Sequence, residues 1–215
     1  MSCSPLDPSL WLTRRLGYWE KQLIVEWPPV SQGPRRCTIN NLTHILTNQE
    51  IDLTKFEEAI KAMIYNEPHL RADVDLKTEC WTPAKDFTEL STFEDLTGAG
   101  CKDVGDVWHL VEDEANHPWC YGSGKPLYRC TLLKVIGAYM VMNCYHHGAG
   151  DGTTGMIIMG AILEHYDSLR SGREVKLNPH HPKPCVEDLT AAPDESDVLQ
   201  SLVEAKVDCA KIYQQ

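Results

Sequence analysis

The sequence predicts an α+β fold on three observations. Two apolar, β-rich runs over 127–135 and 138–145 are joined at Ile136-Gly137, the pattern of a hairpin. Helical periodicity lies on both sides of it: Phe56, Ile60, Met63 and Ile64 share one face of an upstream segment, and an apolar-rich stretch runs from Gly152 to a stop at Gly172. A chain of 215 residues with 42% hydrophobic and 24% charged residues can also bury one substantial core.

Taken in order, residues 11–23 form an amphipathic segment and EWPPVSQGPRR a turn-rich connector. CTINNLTHILTNQ mixes β-branched and apolar residues as a strand does. In DLTKFEEAIKAMIYNEP, Thr54 with Glu57 three residues on predicts a capping box, and Pro68 closes the helix. HLRADVDL follows as a short strand, and Pro83, Thr97-Gly98 and Gly100 break the next region into strand fragments and loops. Val107, Leu110, Val111 and Ala115 repeat at helical spacing over 104–116 until His117-Pro118. The hairpin then leads through His146-His147 into the helix after Asp151-Gly152. Beyond Gly172 the chain is a polar, proline-rich connector, and Leu199, Leu202, Val203 and Val207 mark a last helix over 198–213.

Charge and cysteine usage exclude several classes. A net charge of -11 argues against nucleic acid, because phosphate contacts need clustered Lys and Arg, and an anionic ligand would need a local basic patch. The nine cysteines are scattered, odd in number and without a C-x-x-C, which predicts neither a disulfide framework nor a zinc knuckle and fits a reducing cytoplasm. MSCSPLDPSLWLTRRLGYWEKQL lacks an uninterrupted apolar core, so neither a signal peptide nor a membrane span is expected there.

The chemistry concentrates in YHHGAGDGTT, where residues 146–152 fit H-H-x-x-x-D-G. Adjacent side chains at a strand end face opposite sides of the sheet, so His146 and His147 cannot share a role. Three readings meet here. A metal site has the right atoms, but adjacent strand residues diverge where two ligands ordinarily sit at i, i+4 or on separate strands. A structural turn needs only Gly-Asp-Gly and leaves the paired histidines unexplained. An acid–base site uses one neutral imidazole as proton acceptor, glycines for close approach, and Asp151 to orient the loop through a cation. Elsewhere the bland readings stand: His180-His181 solvated, Trp108 and Trp119 in the core, His109, His117 and His165 as helix or turn histidines, and Cys144 as a buried strand residue.

With these residues the chain resembles the chloramphenicol acetyltransferase-like acyltransferases, which include peptide-synthetase condensation domains, alcohol acetyltransferases and wax ester synthases. DLTKFEEAIKAMIYNEPHLRADV is similar to the family's early helix and the strand carrying Leu-Arg, GKPLYRCTLLKV to the strand opening with Gly-x-Pro-Leu, and RRLGYWE to the opening of alcohol acetyltransferase-like members. The resemblance implies a mixed, mostly antiparallel sheet flanked by helices. It implies that His147 is the catalytic base, that Asp151 holds the loop through a salt bridge to Arg71, and that His146 and Gly152 shape the loop. No metal and no bound cofactor are implied. An acyl-CoA or carrier thioester is the co-substrate and a small alcohol, or less readily an amine, the acceptor, with no covalent acyl-enzyme.

Most monomeric members of this family are roughly twice as long and place the site between two lobes. The resemblance therefore implies an N-terminal acyltransferase lobe over 1–177, followed over 178–215 by a connector and terminal helix leading to a second lobe absent from this chain. An open half-site would favour self-association or a partner lobe. The rival expectation is a non-catalytic or truncated homologue that binds a ligand or partner.

Overall fold

A computed structural model describes residues 11–26, 36–37, 40–88, 90–103 and 105–185. The chain divides into two compact units, 1–182 and 183–215, and every element below lies in the first. In order come α1 (Tyr18–Lys21), β1 (Arg36–Cys37), β2 (Asn40–Thr47) and α2 (Leu53–Asn66). Next are β3 (Ala72–Asp75), β4 (Cys80–Pro83), β5 (Ser91–Asp95) and α3 (Trp108–Asn116). The unit continues with β6 (Trp119–Cys120), β7 (Tyr128–Val135), β8 (Ala138–His146) and α4 (Gly152–Arg170). The last helix expected over 198–213 lies outside the described residues.

A four-stranded sheet in the order β2-β8-β7-β5 carries the site. β7 and β8 form the expected hairpin, turned at Gly137 with φ 80°, a left-handed angle that glycine adopts without a Cβ penalty. β2 pairs antiparallel with β8 and sets Asn40 opposite His146, while β5 adds parallel to β7. The sheet is mixed and mostly antiparallel, with helices on its faces. Two small antiparallel pairs, β1-β6 and β3-β4, complete the strands.

β8 reads as a nearly continuous apolar run because it is buried on both faces. Tyr139, Val141 and Tyr145 pack under α2 and α4 with Phe56, Ile60, Met63, Ile158, Met159 and Ile162. Met140 and Met142 pack on the other face beside Val107 and Val111. Cys144 joins a third cluster with Leu12, Leu16, Ile24, Val74, Trp81 and Leu127. At about 1.5–3 kcal/mol for each buried aliphatic or aromatic side chain, these clusters hold the strand that ends in the histidine motif.

Two local expectations, the α2 cap and the burial of Trp108, are corrected. α2 is capped by Asp52, whose carboxylate accepts from the Lys55 N–H at 3.2 Å, and not by a Thr54–Glu57 box; a carboxylate just outside the first turn meets free N–H groups. The segment 11–23 contains the short α-helix Tyr18–Lys21, which runs into a wide π-type turn. Trp108 is 46% exposed at the start of α3, edge-on to His44, whereas Trp119 is buried. His180, expected to be solvated, is exposed; its Nδ1 lies 2.9 Å from Glu67 Oε1 and its N–H donates to the Asn66 carbonyl.

The termini of α4 follow their sequence signals. Gly172 adopts φ 70°, with the Arg173 N–H donating to the Ser168 carbonyl and the Gly172 N–H to that of Leu169, a Schellman closure. Near its start, Gly155 lets α4 approach the sheet: a Cβ there would stand 2.8 Å from Tyr145 Oη and closer still to Thr43 Oγ1. Gly155→Ala should therefore destabilise the unit. Overpacking costs about 1–3 kcal/mol, while alanine regains at most ~1 kcal/mol of helix propensity. Chemical denaturation reads the difference, and an unchanged or higher stability would contradict this packing.

Candidate active site

The site begins where β8 ends. The His146 N–H donates to the Leu127 carbonyl at 3.1 Å, and its ring is completely buried on the side of the third cluster. Its Nδ1 accepts from the Gly148 N–H at 2.8 Å, which requires that Nδ1 carry no proton. The proton of the neutral ring is therefore on Nε2, which donates to Tyr121 Oη at 2.8 Å. Burial, and then the neighbouring His147, push the His146 pKa down to about 3. His146 is neutral at physiological pH with both nitrogens engaged.

His147 has a different setting. It opens a short 3-10 turn, His147–Ala149, and is only partly buried, with Nδ1 turned inward. Neither of its ring nitrogens hydrogen-bonds to another described residue. The backbone around it is tightly held. A Cβ on Gly148 would meet Ile24 Cδ1 at 2.8 Å and His146 Nδ1 at 3.0 Å. Asn41 Nδ2 donates to the Gly150 carbonyl at 2.7 Å, and the Tyr145 hydroxyl donates to that of Asp151.

The expected salt bridge between Asp151 and Arg71 is not made. Asp151 caps α4: its Oδ1 accepts from the Thr154 N–H and hydroxyl, each at 2.9 Å, and its own N–H donates to Thr154 Oγ1 at 3.2 Å. The bond from the Thr154 backbone leads the effects that lower its pKa. Arg71 is buried just before β3, its Nε donating to the Glu67 carbonyl and its guanidinium 5.2 Å from the Trp11 ring centroid. The reason is local: a helix N-terminus offers unpaired N–H groups and a positive dipole end three residues away, with no chain to be closed. Gly152 follows as the first residue of α4, with open space where a Cβ would stand.

Two features beside the motif, Tyr121 and Asp73, were not singled out by sequence reasoning. Tyr121 reaches His146 from 25 residues upstream with no spacing signal to mark it. Asp73, two residues past Arg71, is 2% exposed and accepts from the N–H groups of Val74 at 2.6 Å, Gly122 at 3.0 Å and Gly124 at 2.7 Å. Burial raises its pKa against these bonds. In RRLGYWE, Arg14 grips Glu20 through two bonds of 2.8 and 2.7 Å, while Glu20 also accepts from the Gly17 N–H. That spacing closes a folded clamp. Asp73→Ala strands buried N–H donors at about 1–3 kcal/mol each, so a loss of roughly 3 kcal/mol is expected in urea unfolding; a loss below ~1 kcal/mol would contradict the bonding.

Among the described residues no three His, Cys, Asp or Glu side chains are grouped to hold a metal ion. The thiols of Cys130 and Cys144 are each pushed up to about 12, chiefly by burial, which makes them poor nucleophiles. No helix among the described residues is long and apolar enough to cross a membrane.

No protein-family model and no curated protein sequence matches the chain. Solved structures do. The starter condensation domain of the rhizomide synthetase RzmA matches with a TM-score of 0.64 at 19% identity, over 80% of this chain and 40% of that one. A variant of it in complex with C8-CoA matches at 0.64 and 20% identity, over 75% and 37%. The first condensation domain of the CDA synthetase matches at 0.62 and 16% identity, over 79% and 41%. The chain shares the fold of these condensation domains over the matched residues. It spans about two fifths of the length of those solved chains.

Proposed function

We propose that this chain is an acyltransferase lobe that moves an acyl group from a CoA or carrier thioester to a small alcohol or amine, with His147 as general base. The observation that carries this reading is the asymmetry of the two histidines. Both nitrogens of His146 are occupied and its pKa lies near 3, so it cannot take a proton at neutral pH. The ring nitrogens of His147 are held by no described residue, the condition a base needs.

In the proposed reaction, the acceptor O–H or N–H gives its proton to His147 as its lone pair attacks the thioester carbonyl. The tetrahedral intermediate collapses by breaking the C–S bond, and the imidazolium returns the proton to the departing thiolate. The high thiol pKa values of Cys130 and Cys144 agree with direct transfer and no acyl-cysteine. Among the structural neighbours, RzmA variants are bound to C8-CoA, in one case together with Leu-SNAC, which makes medium-chain acyl-CoA a donor worth testing here. His146, Asp151 and Gly152 shape the loop and its helix. A second lobe or another copy supplies the opposite wall, a reading supported by Met156 and Ile157, each 65% exposed beside the motif. Free thiols at Cys80, Cys101, Cys120, Cys130 and Cys144 fit a reducing cytoplasm.

The test is acyl transfer followed by thiol release and by product, with acetyl- to octanoyl-CoA and a panel of alcohols and amines. Wild type is compared with His147→Ala. Product formed by the wild type and lost in the variant supports the reading; equal rates leave a non-catalytic binding lobe.

A further inference from the structure

We propose that Tyr121 is a positioning residue: its phenol oxygen fixes the tautomer of His146, and that tautomer sets the backbone on which His147 stands. The inference rests on the reading of His147 as base only in what the positioning is for; the positioning itself follows from hydrogen-bond geometry.

The Gly148 N–H points at His146 Nδ1 from 2.8 Å. A neutral imidazole has one proton to place, so this bond exists only while the proton is on Nε2. The fully buried Nε2–H needs an acceptor, and Tyr121 Oη lies 2.8 Å away. Were the proton on Nδ1, two N–H groups would face each other across the Gly148 contact and the turn 147–149 would have to move. It has little room to do so, since Ile24 lies against Gly148. Choosing the tautomer therefore chooses the loop.

Tyr121 is itself built in. Its ring meets His146 edge-on, with centroids 5.7 Å apart and planes at 74°, and it packs against the cluster of Trp81 and Leu127. On one side of it, Trp119 donates its indole N–H to Asn40, the residue opposite His146 in β2. On the other, the Gly122 and Gly124 N–H groups donate to buried Asp73. The Lys85 and Asp86 N–H groups also close on the Gly124 carbonyl, at 2.7 and 2.9 Å. A support of this kind, locked by its own hydrogen bonds, is what a precisely placed reactive group requires.

The experiment uses the full chain labelled with 15N and reads imidazole proton–nitrogen correlations at pH 6–8. Wild-type His146 is expected to show a protonated Nε2 and a bare Nδ1, with a Gly148 amide protected from exchange. In Tyr121→Phe, which keeps the ring and removes the oxygen, the Nε2–H signature should give way to the other tautomer or a mixture, and Gly148 exchange should accelerate. In the transfer assay kcat should fall by up to about 100-fold with little change in KM, the signature of a misplaced base. Tyr18→Phe, at a 59% exposed tyrosine, should change none of these and serves as control. A wild-type proton on Nδ1 overturns the proposal, and so does an unchanged tautomer with unchanged Gly148 exchange in Tyr121→Phe. Should that variant fail to fold, the wild-type spectrum decides alone. If wild type and His147→Ala transfer equally, the acyltransferase reading falls, while the spectra still decide the role of Tyr121.

Discussion

Replacing His147 with alanine is expected to lower acyl transfer by about 10²–10⁴-fold, the usual contribution of a positioned general base. The effect should fall on catalysis and spare the fold. No described residue hydrogen-bonds to the His147 ring, so its removal strands no protein donor or acceptor, and the ring is only partly buried. Initial rates of product formation and a denaturation curve on the same preparation separate the two. A variant that folds as the wild type does and transfers at the wild-type rate would remove His147 from the chemistry. A variant that fails in both would instead make it a structural residue.

Acid should weaken the protein through the other histidine. The folded pKa of His146 is about 3 against an ordinary value of 6.5. Above pH 6.5 the ring is neutral in both folded and unfolded chains, and the full stability is present. Between 6.5 and 3 the unfolded chain takes up a proton that the buried ring refuses, so stability falls with pH. The slope from this one group approaches ~1.4 kcal/mol per pH unit and ends near the folded pKa. Carboxylates add their own acid dependence, so the measurement is a difference: urea unfolding at several pH values for wild type and His146→Gln. The variant should be less stable at pH 7.5 but show the flatter slope, and parallel slopes would mean that the folded ring takes up the proton as readily as the unfolded chain does.

These two histidines show how far a sequence reaches. Their adjacency at the end of an apolar strand already implies that they part company, because side chains alternate along a strand. Which of them is occupied was not legible, since that depends on Tyr121, brought to Nε2 on the segment between β6 and β7 that Asp73 of β3 holds. The pairing of Asp151 with Arg71 illustrates the opposite error. A long-range ion pair was inferred from a resemblance, yet a carboxylate at a helix start has free N–H groups at three-residue range, and Asp151 takes them. The same competition moved the α2 cap from Thr54 to Asp52.

Local chemistry was therefore determined by the amino-acid sequence itself: the β7-β8 hairpin, the helix that follows Asp151 and stops at Gly172, the buried face of Phe56, Ile60, Met63 and Ile64, and the motif that joins strand to helix. Each depends on periodicity or on groups a few residues apart, where loop closure adds almost nothing to the entropy to be overcome. Tertiary structure alone decided the contacts between distant segments: Tyr121 on His146, Asp73 on the Gly122 and Gly124 amides, and Asn41 on the Gly150 carbonyl. Those bonds form only after burial has removed water as a competing partner, and burial is a property of the packed sheet and its helices.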